Sequence, residues 1–179
     1  MSKKVLILSG SPRRGGNSDM LCDEFAKGAR EAGHDVQKIF VHDKKIGYCS
    51  ACGLCYTQRT NCVNNDDMPE IIEQMINADV IVMSTPAYFY SMSGQMKVLI
   101  DRTITRFLEI RDKDMYFIIS AHSENLETLQ HVLAGFKGYM ACLPGAKEKG
   151  VIYGLGVFNA GDIAGSPALE EARKTGTSV

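Results

Sequence analysis

The sequence predicts an α/β three-layer sandwich around a five-stranded parallel sheet of order 2-1-3-4-5. Short apolar runs recur along the 179 residues, and the segments between them carry helical periodicity. That alternation implies parallel strands joined by right-handed crossovers. Chain length and strand count then select order 2-1-3-4-5 among the doubly wound sheets. No internal repeat, low-complexity stretch or linker interrupts the pattern, so residues 1–179 are expected to form a single domain with a cysteine-rich loop at about 43–65.

Lys3–Ser9 (KKVLILS) reads as the first buried strand, followed by a glycine-rich turn. Leu21, Phe25 and Ala29 then recur at helical spacing with Cys22 and Ala26 beside them, and Gly33 stops that helix. Asp35–Val41 is the second strand, and His42–Asn65 shows no period. Asp67-Met68-Pro69-Glu70 reads as a helix start: a capping Asp, a Pro in the first turn, and Glu three residues after the cap. Asp79–Ser84 is the third strand, and an aromatic loop, Thr85–Ser93, follows it. A helix from Gly94 to about Phe107 shows Met96, Leu99, Ile100 and Thr103 on one side, while Lys97, Asp101 and Arg102 read as its solvated face. Met115–Ser120 is the fourth strand, with a helix from about Glu124 to Met140. Val151–Val157 is the fifth, and Pro167–Lys174 opens a last helix after Ser166.

Composition excludes several function classes. The apolar share of 45% and charged share of 23% are ordinary for a globular chain, and a net charge of -1 offers no attraction for nucleic acid or an anionic membrane. Only Val5–Leu8 follow Lys3 and Lys4 before the chain turns polar, too short a run for a signal peptide, and no stretch has transmembrane length. A cytoplasmic location is expected, with neither nucleic acid nor membrane as partner. In that reducing setting, six cysteines do not indicate a disulfide framework. Cys22 and Cys142 stand alone in helical contexts and read as small buried hydrophobes.

In such a sheet the ligand sits beyond the carboxyl ends of the strands where strand order reverses, here between strands one and three. The loop after strand one reads Ser9-Gly-Ser-Pro-Arg-Arg-Gly-Gly-Asn-Ser18 and opens directly into a helix. Glycines let backbone N–H groups converge, and the helix N-terminus adds partial positive charge. Ser9, Ser11, Asn17 and Ser18 supply polar donors, and Arg13 or Arg14 a cation, making an anion site of monophosphate size. Gly10 and Gly15 have the Walker A glycine spacing, but Gly16-Asn17 stands where Lys-Ser/Thr is required, and no G-x-G-x-x-G follows the strand. The bland alternative is a surface loop capped by Asn17 or Ser18.

The loop after strand three, Thr85-Pro-Ala-Tyr-Phe-Tyr-Ser91, joins a rigid turn to three aromatics. Such a loop offers faces for a planar ring, or apolar weight for the core or a subunit interface. After strand four comes Ser120-Ala-His-Ser-Glu-Asn125, where His122 is a potential acid or simply a polar loop residue. Cys49-x2-Cys52-x2-Cys55-x6-Cys62 points to thiolate ligation. The C-x2-C-x2-C run is typical of a [4Fe-4S] cluster, and four thiolates also suit a closed zinc site. Unligated thiols shaping the loop are the third possibility.

Taken in order, the Ser9–Ser18 loop, Asp66-Asp67-Met68, Thr85-Pro-Ala-Tyr88, Met96-Lys97…Asp101-Arg102 and Gly161-Asp-Ile…Pro167-Ala-Leu…Ala172 resemble the NAD(P)H-dependent FMN reductases of the flavodoxin-like superfamily. The likeness runs along nearly the whole chain. It implies FMN with its phosphate in the Ser9–Ser18 loop. Pro86, Ala87, Tyr88 and Phe89 would line the isoalloxazine ring, and Ser120 and His122 would form a third wall. It also implies a reaction in which NAD(P)H gives a hydride to flavin and a second acceptor takes the electrons: free flavin, a quinone, another small oxidant or a redox protein. No side chain is expected to be catalytic, because the flavin carries the chemistry. Iron-sulfur flavoproteins, a branch of the superfamily, carry a compact four-cysteine motif at the same place between strand two and helix two. That favours a cluster, and with it an alternative function as an electron carrier between FMN, a [4Fe-4S] cluster and protein partners. A homodimer or homotetramer with flavin sites near its interfaces is implied as well.

Overall fold

In the computed structural model, which describes residues 1–58 and 62–179, the apolar runs form one parallel sheet. Its strands are β1 (Lys4–Ser9), β2 (Asp35–Phe40), β3 (Val80–Pro86), β4 (Asp114–Ser120) and β5 (Lys147–Gly154), in the order β2-β1-β3-β4-β5. The central strands β1, β3 and β4 are buried along nearly their whole length, which is why they read as unbroken apolar runs. Edge strand β2 alternates between exposed and covered residues, and β5 opens with exposed Lys147, Glu148 and Lys149. That polar opening hid the true start of β5, four residues ahead of the expected Val151. Register sets Ser9 beside Phe40 and Ser84, and Pro86 beside Ser120, so the ends of four strands face one edge of the sheet.

Helices cover both faces. Val5 and Ile7 of β1 pack against α1 (Asn17–Glu31) and α6 (Pro167–Thr177). The alternate residues Leu6 and Leu8 pack toward α3 (Met68–Asn77), α4 (Gly94–Arg102) and α5 (Gln130–Ala141). A single turn, α2 (Leu54–Thr57), lies in the cysteine-rich segment. Helices α1 and α6 touch through backbone. A Cβ on Gly28 would run into the Arg173 carbonyl, and one on Gly176 into the Phe25 carbonyl.

Several boundaries depart from the sequence reading for local reasons. Helix α4 ends at Arg102 instead of near Phe107, and two short 3-10 turns follow, Thr103–Thr105 and Phe107–Glu109. The β-branched Thr-Ile-Thr run disfavours continuation, and the Thr103 hydroxyl donates to the Ile100 carbonyl at 2.7 Å. Helix α5 starts at Gln130, after a 3-10 turn capped by Asn125. The capping box expected at Asp67 does not form. Asp66 receives the Met68 N–H at 3.1 Å, Asp67 receives the Lys45 N–H at 2.7 Å, and Glu70 bonds to Gln74. Cys22 is buried as expected, and burial pushes its thiol up to about 12. Cys142 is exposed, because it is the residue just past the end of α5 and turns outward. Among the described residues, no helix is long and apolar enough to cross a membrane.

Candidate functional site

Gly10 leads the chain away from β1, its N–H bonded to the Ser84 carbonyl of β3 at 2.8 Å. A Cβ there would fall 2.9 Å from that oxygen and 3.0 Å from Met96, so only glycine fits. The loop then folds on itself: the Arg13 N–H donates to the Ser11 hydroxyl at 3.1 Å and the Gly16 N–H to the Arg13 carbonyl at 3.2 Å. No side chain caps α1 at Gly16, and the N–H groups of Asn17 and Ser18 donate to no protein acceptor among the described residues. A fifteen-residue helix thus presents free donors and its positive dipole end at the reversal of strand order.

Most of the predicted polar residues are engaged within the protein. Ser9 is buried and donates to Asp19 Oδ1 at 3.4 Å, and the Ser18 and Ser120 hydroxyls pair with each other at 2.6 Å. These three hydroxyls are engaged within the protein and fix how the loop joins the sheet. Asn17 is also a cross-link: its amide donates to the Asn159 carbonyl at 2.9 Å and accepts the Ile163 N–H at 3.1 Å. Arg13 reaches the Phe158 carbonyl at 2.9 Å. Arg14 leaves the loop altogether, lying over the Phe40 ring and pairing with Asp43.

Asn17 and Arg13 therefore draw in a fourth wall that sequence reasoning missed, the segment after β5. There Asp162 accepts the N–H groups of Phe158 at 2.9 Å and Asn159 at 2.7 Å, which hold its carboxyl below the ordinary range. Exposed Phe158 meets His122 edge-on, with ring centroids 5.6 Å apart. The available signal was an Asp four residues after an aromatic, inside the glycine-punctuated run Gly154–Gly165.

The loop after β3 forms a tight reversal. The Ala87 N–H bonds to the Ser120 carbonyl at 2.7 Å, and Tyr88 and Ser91 exchange backbone bonds of 2.9 and 3.0 Å. Phe89 and Tyr90 between them have φ of 48° and 60°, the geometry of a type I′ turn that usually holds Asn-Gly. Each aromatic in that region costs about 1–2 kcal/mol of backbone strain. Tyr88, Phe89 and Tyr90 are all exposed, so none fills the core of this chain.

The cysteine segment runs beside α4. Arg102, read from sequence as solvated, is 1% exposed. One residue past Asp101 the helix has turned about 100°, which places Arg102 under the segment, while Lys97 and Asp101 pair at 2.6 Å on the open face. Its guanidinium holds Asp66 through two bonds of 2.6 and 3.1 Å and the Gly47 carbonyl at 2.6 Å. Cys62 lines a cavity of about 250 Å³ with Arg102 and Met68. Cys49 lines a different one, of about 380 Å³, with Ile100, Tyr139 and Cys142. The N–H of Leu54 and the Ser50 hydroxyl hold the Cys52 thiol below its ordinary value. Among the described residues, no three His, Cys, Asp or Glu side chains are gathered to hold a metal ion. Cys62 and Cys49 thus line separate cavities.

A parallel sheet of this order, with an uncapped helix at its switch point and an aromatic loop beside it, defines a flavodoxin-like fold. Residues 3–147 match the NADPH-dependent FMN reductase family, and the chain belongs to it. It is 35% identical over 101 residues to an iron-sulfur flavoprotein of Archaeoglobus fulgidus, covering 56% of this chain and 46% of that protein. It is 29% identical over 99 residues to a putative NAD(P)H-dependent FMN-containing oxidoreductase of Bacillus subtilis, covering 55% and 51%. The match thus spans about half the length of these relatives. Its fold is that of the NAD(P)H:quinone oxidoreductase from Methanothermobacter marburgensis, with a TM-score of 0.78 at 19% identity over 99% of this chain and 96% of that one.

Proposed function

We propose that the chain, acting as one domain, binds FMN at this cleft and passes electrons from NAD(P)H to a small acceptor such as a flavin or quinone. The uncapped N-terminus of α1, opening from the loop Ser9–Ser18, carries this reading. Free N–H donors and the helix dipole suit a phosphate monoester, and the absence of a Cβ at Gly10 lets the loop lie close against β3 and Met96. Pro86, Ala87, Tyr88 and Phe89 offer the apolar wall that a flat ring needs, and the edge-on pair His122 and Phe158 offers further ring surface. Bound FMN would supply the hydride and electron chemistry itself. The chain's part is to hold the phosphate, orient the ring and keep water from its face. The exposed tip Tyr88–Tyr90 also suits packing against a second copy, in the homodimer or homotetramer that the sequence resemblance implies.

Replacing Ser11 together with Arg13 should release FMN, and flavin retained as in the wild type would overturn the loop assignment. Flavin absorbance bleached by NAD(P)H and restored by a quinone is the expected activity. A second reading is an electron carrier with a [4Fe-4S] cluster, supported by the spacing of the four cysteines. About four irons per chain in protein prepared without air, lost in Cys52→Ala, would favour the carrier instead.

A further inference from the structure

A buried carboxylate lies directly behind the phosphate loop. Asp19, in the first turn of α1, is 5% exposed. Its Oδ2 accepts the Gly15 N–H at 2.9 Å, and its Oδ1 receives the Ser9 hydroxyl at 3.4 Å. These bonds tie the far end of the loop to its beginning. They also set a negative charge in the same helical turn whose free N–H groups would receive a phosphate. A carboxylate near a helix N-terminus steadies the empty helix, but it repels a second anion brought there.

Lys38, on edge strand β2, answers that charge. Its ammonium lies 2.7 Å from Asp19 Oδ1 and 2.5 Å from Asp23 Oδ1, with the side chain mostly covered. Burial works against the charged amine. The two carboxylates outweigh it and hold Lys38 above its ordinary value, so it stays cationic. Asp23 is largely solvent-exposed and does not need a counter-ion. Asp19 is closed off from water and does.

We propose that Lys38 is a charge-balancing, positioning residue of the FMN site: by neutralising Asp19 it lets that carboxylate order Gly15 and Ser9 without repelling the phosphate monoester. This rests on the phosphate-loop assignment. The consequence is selectivity for the phosphorylated flavin set by a residue that never touches it.

The experiment titrates FMN and riboflavin, by quenching of flavin fluorescence, into wild type, Lys38→Met, Lys38→Gln, Asp19→Asn and the Asp19→Asn/Lys38→Met double variant. Circular dichroism confirms folding, and Lys38→Gln serves if Lys38→Met does not fold. Loss of the lysine should weaken FMN by about tenfold or more, as expected of one uncompensated like charge close to the phosphate. Riboflavin should change by less than about threefold, and Asp19→Asn in the double variant should restore most of the FMN affinity. Equal losses for FMN and riboflavin, no loss at all, or no rescue would overturn the proposal. Should wild type hold riboflavin as tightly as FMN, the phosphate-loop assignment itself fails, and that outcome is read before any variant is compared.

Discussion

The Ser93 hydroxyl donates to the Gly10 carbonyl at 2.7 Å, joining the loop after β1 to the loop after β3. The same oxygen accepts the Met96 N–H and caps α4, while Thr85 Oγ1 accepts the Ser93 N–H at 2.9 Å. One buried serine therefore sets both a helix start and the spacing of two cleft walls. Ser93→Ala removes a cap and strands the Gly10 carbonyl, and should cost about 1–3 kcal/mol. Urea unfolding followed by circular dichroism measures this, and a parallel rise in FMN dissociation is expected. An unchanged midpoint would contradict the assignment.

The left-handed pair Phe89-Tyr90 should behave oppositely. Replacing it with Asn-Gly, which this turn accepts without strain, should stabilise the protein by about 1–3 kcal/mol. It should also remove apolar surface from the proposed flavin wall and weaken cofactor retention. A higher melting temperature with unchanged flavin affinity would show that the aromatics have no part in the cleft.

Backbone contact between α1 and α6 makes Gly28 and Gly176 the positions least tolerant of a methyl group. Gly28→Ala should force the helices apart and cost about 1–3 kcal/mol despite the better helix propensity of alanine. Gly138, where a Cβ meets nothing within 4 Å, is the control, and Gly138→Ala should be neutral or stabilising. Equal midpoints for the two variants would refute the close packing.

Asp66 carries a pH signature. Burial pushes its carboxyl up, but Arg102 and the N–H groups of Gly47 and Met68 outweigh that and hold it below the ordinary range. A carboxyl depressed in the folded state stabilises fully above its unfolded pKa of about 3.9, and that contribution is lost as pH falls through the folded value. Arg102→Met should cost about 3 kcal/mol at pH 7 by leaving Asp66 without its cation. The gap from wild type should narrow below about pH 4 as Asp66 takes up a proton. Denaturation at pH 7, 5 and 3.5 measures this, and a pH-independent gap would mean that Arg102 acts by packing alone.

Much of this was legible in the sequence for identifiable reasons. Buried central strands such as Val80–Ser84 announce themselves as apolar runs, and their alternation with helices implies a parallel sheet. The Ser9–Ser18 loop stood out because glycines, a proline and small polar residues crowd between a strand and a helix. Arg102 did not, because a buried cation and a solvated one look alike until the partner segment is placed. Gly161-Asp162-Ile163 carried a family likeness, but nothing local showed that Phe158–Asp162 closes against the loop after β1. That closure depends on Arg13 and Asn17, more than 140 positions away in the chain.

The guanidinium of Arg102 grips Gly47 at one end of the cysteine segment and Asp66 at the other. Both anchors belong to one side chain, so everything between them is an excursion that begins and ends at the same point. Closing a longer or shorter excursion there adds only about 0.6 kcal/mol per doubling of its length. The four cysteines are thus carried on a segment closed by a single side chain, whose length can change at small cost while its two ends stay fixed.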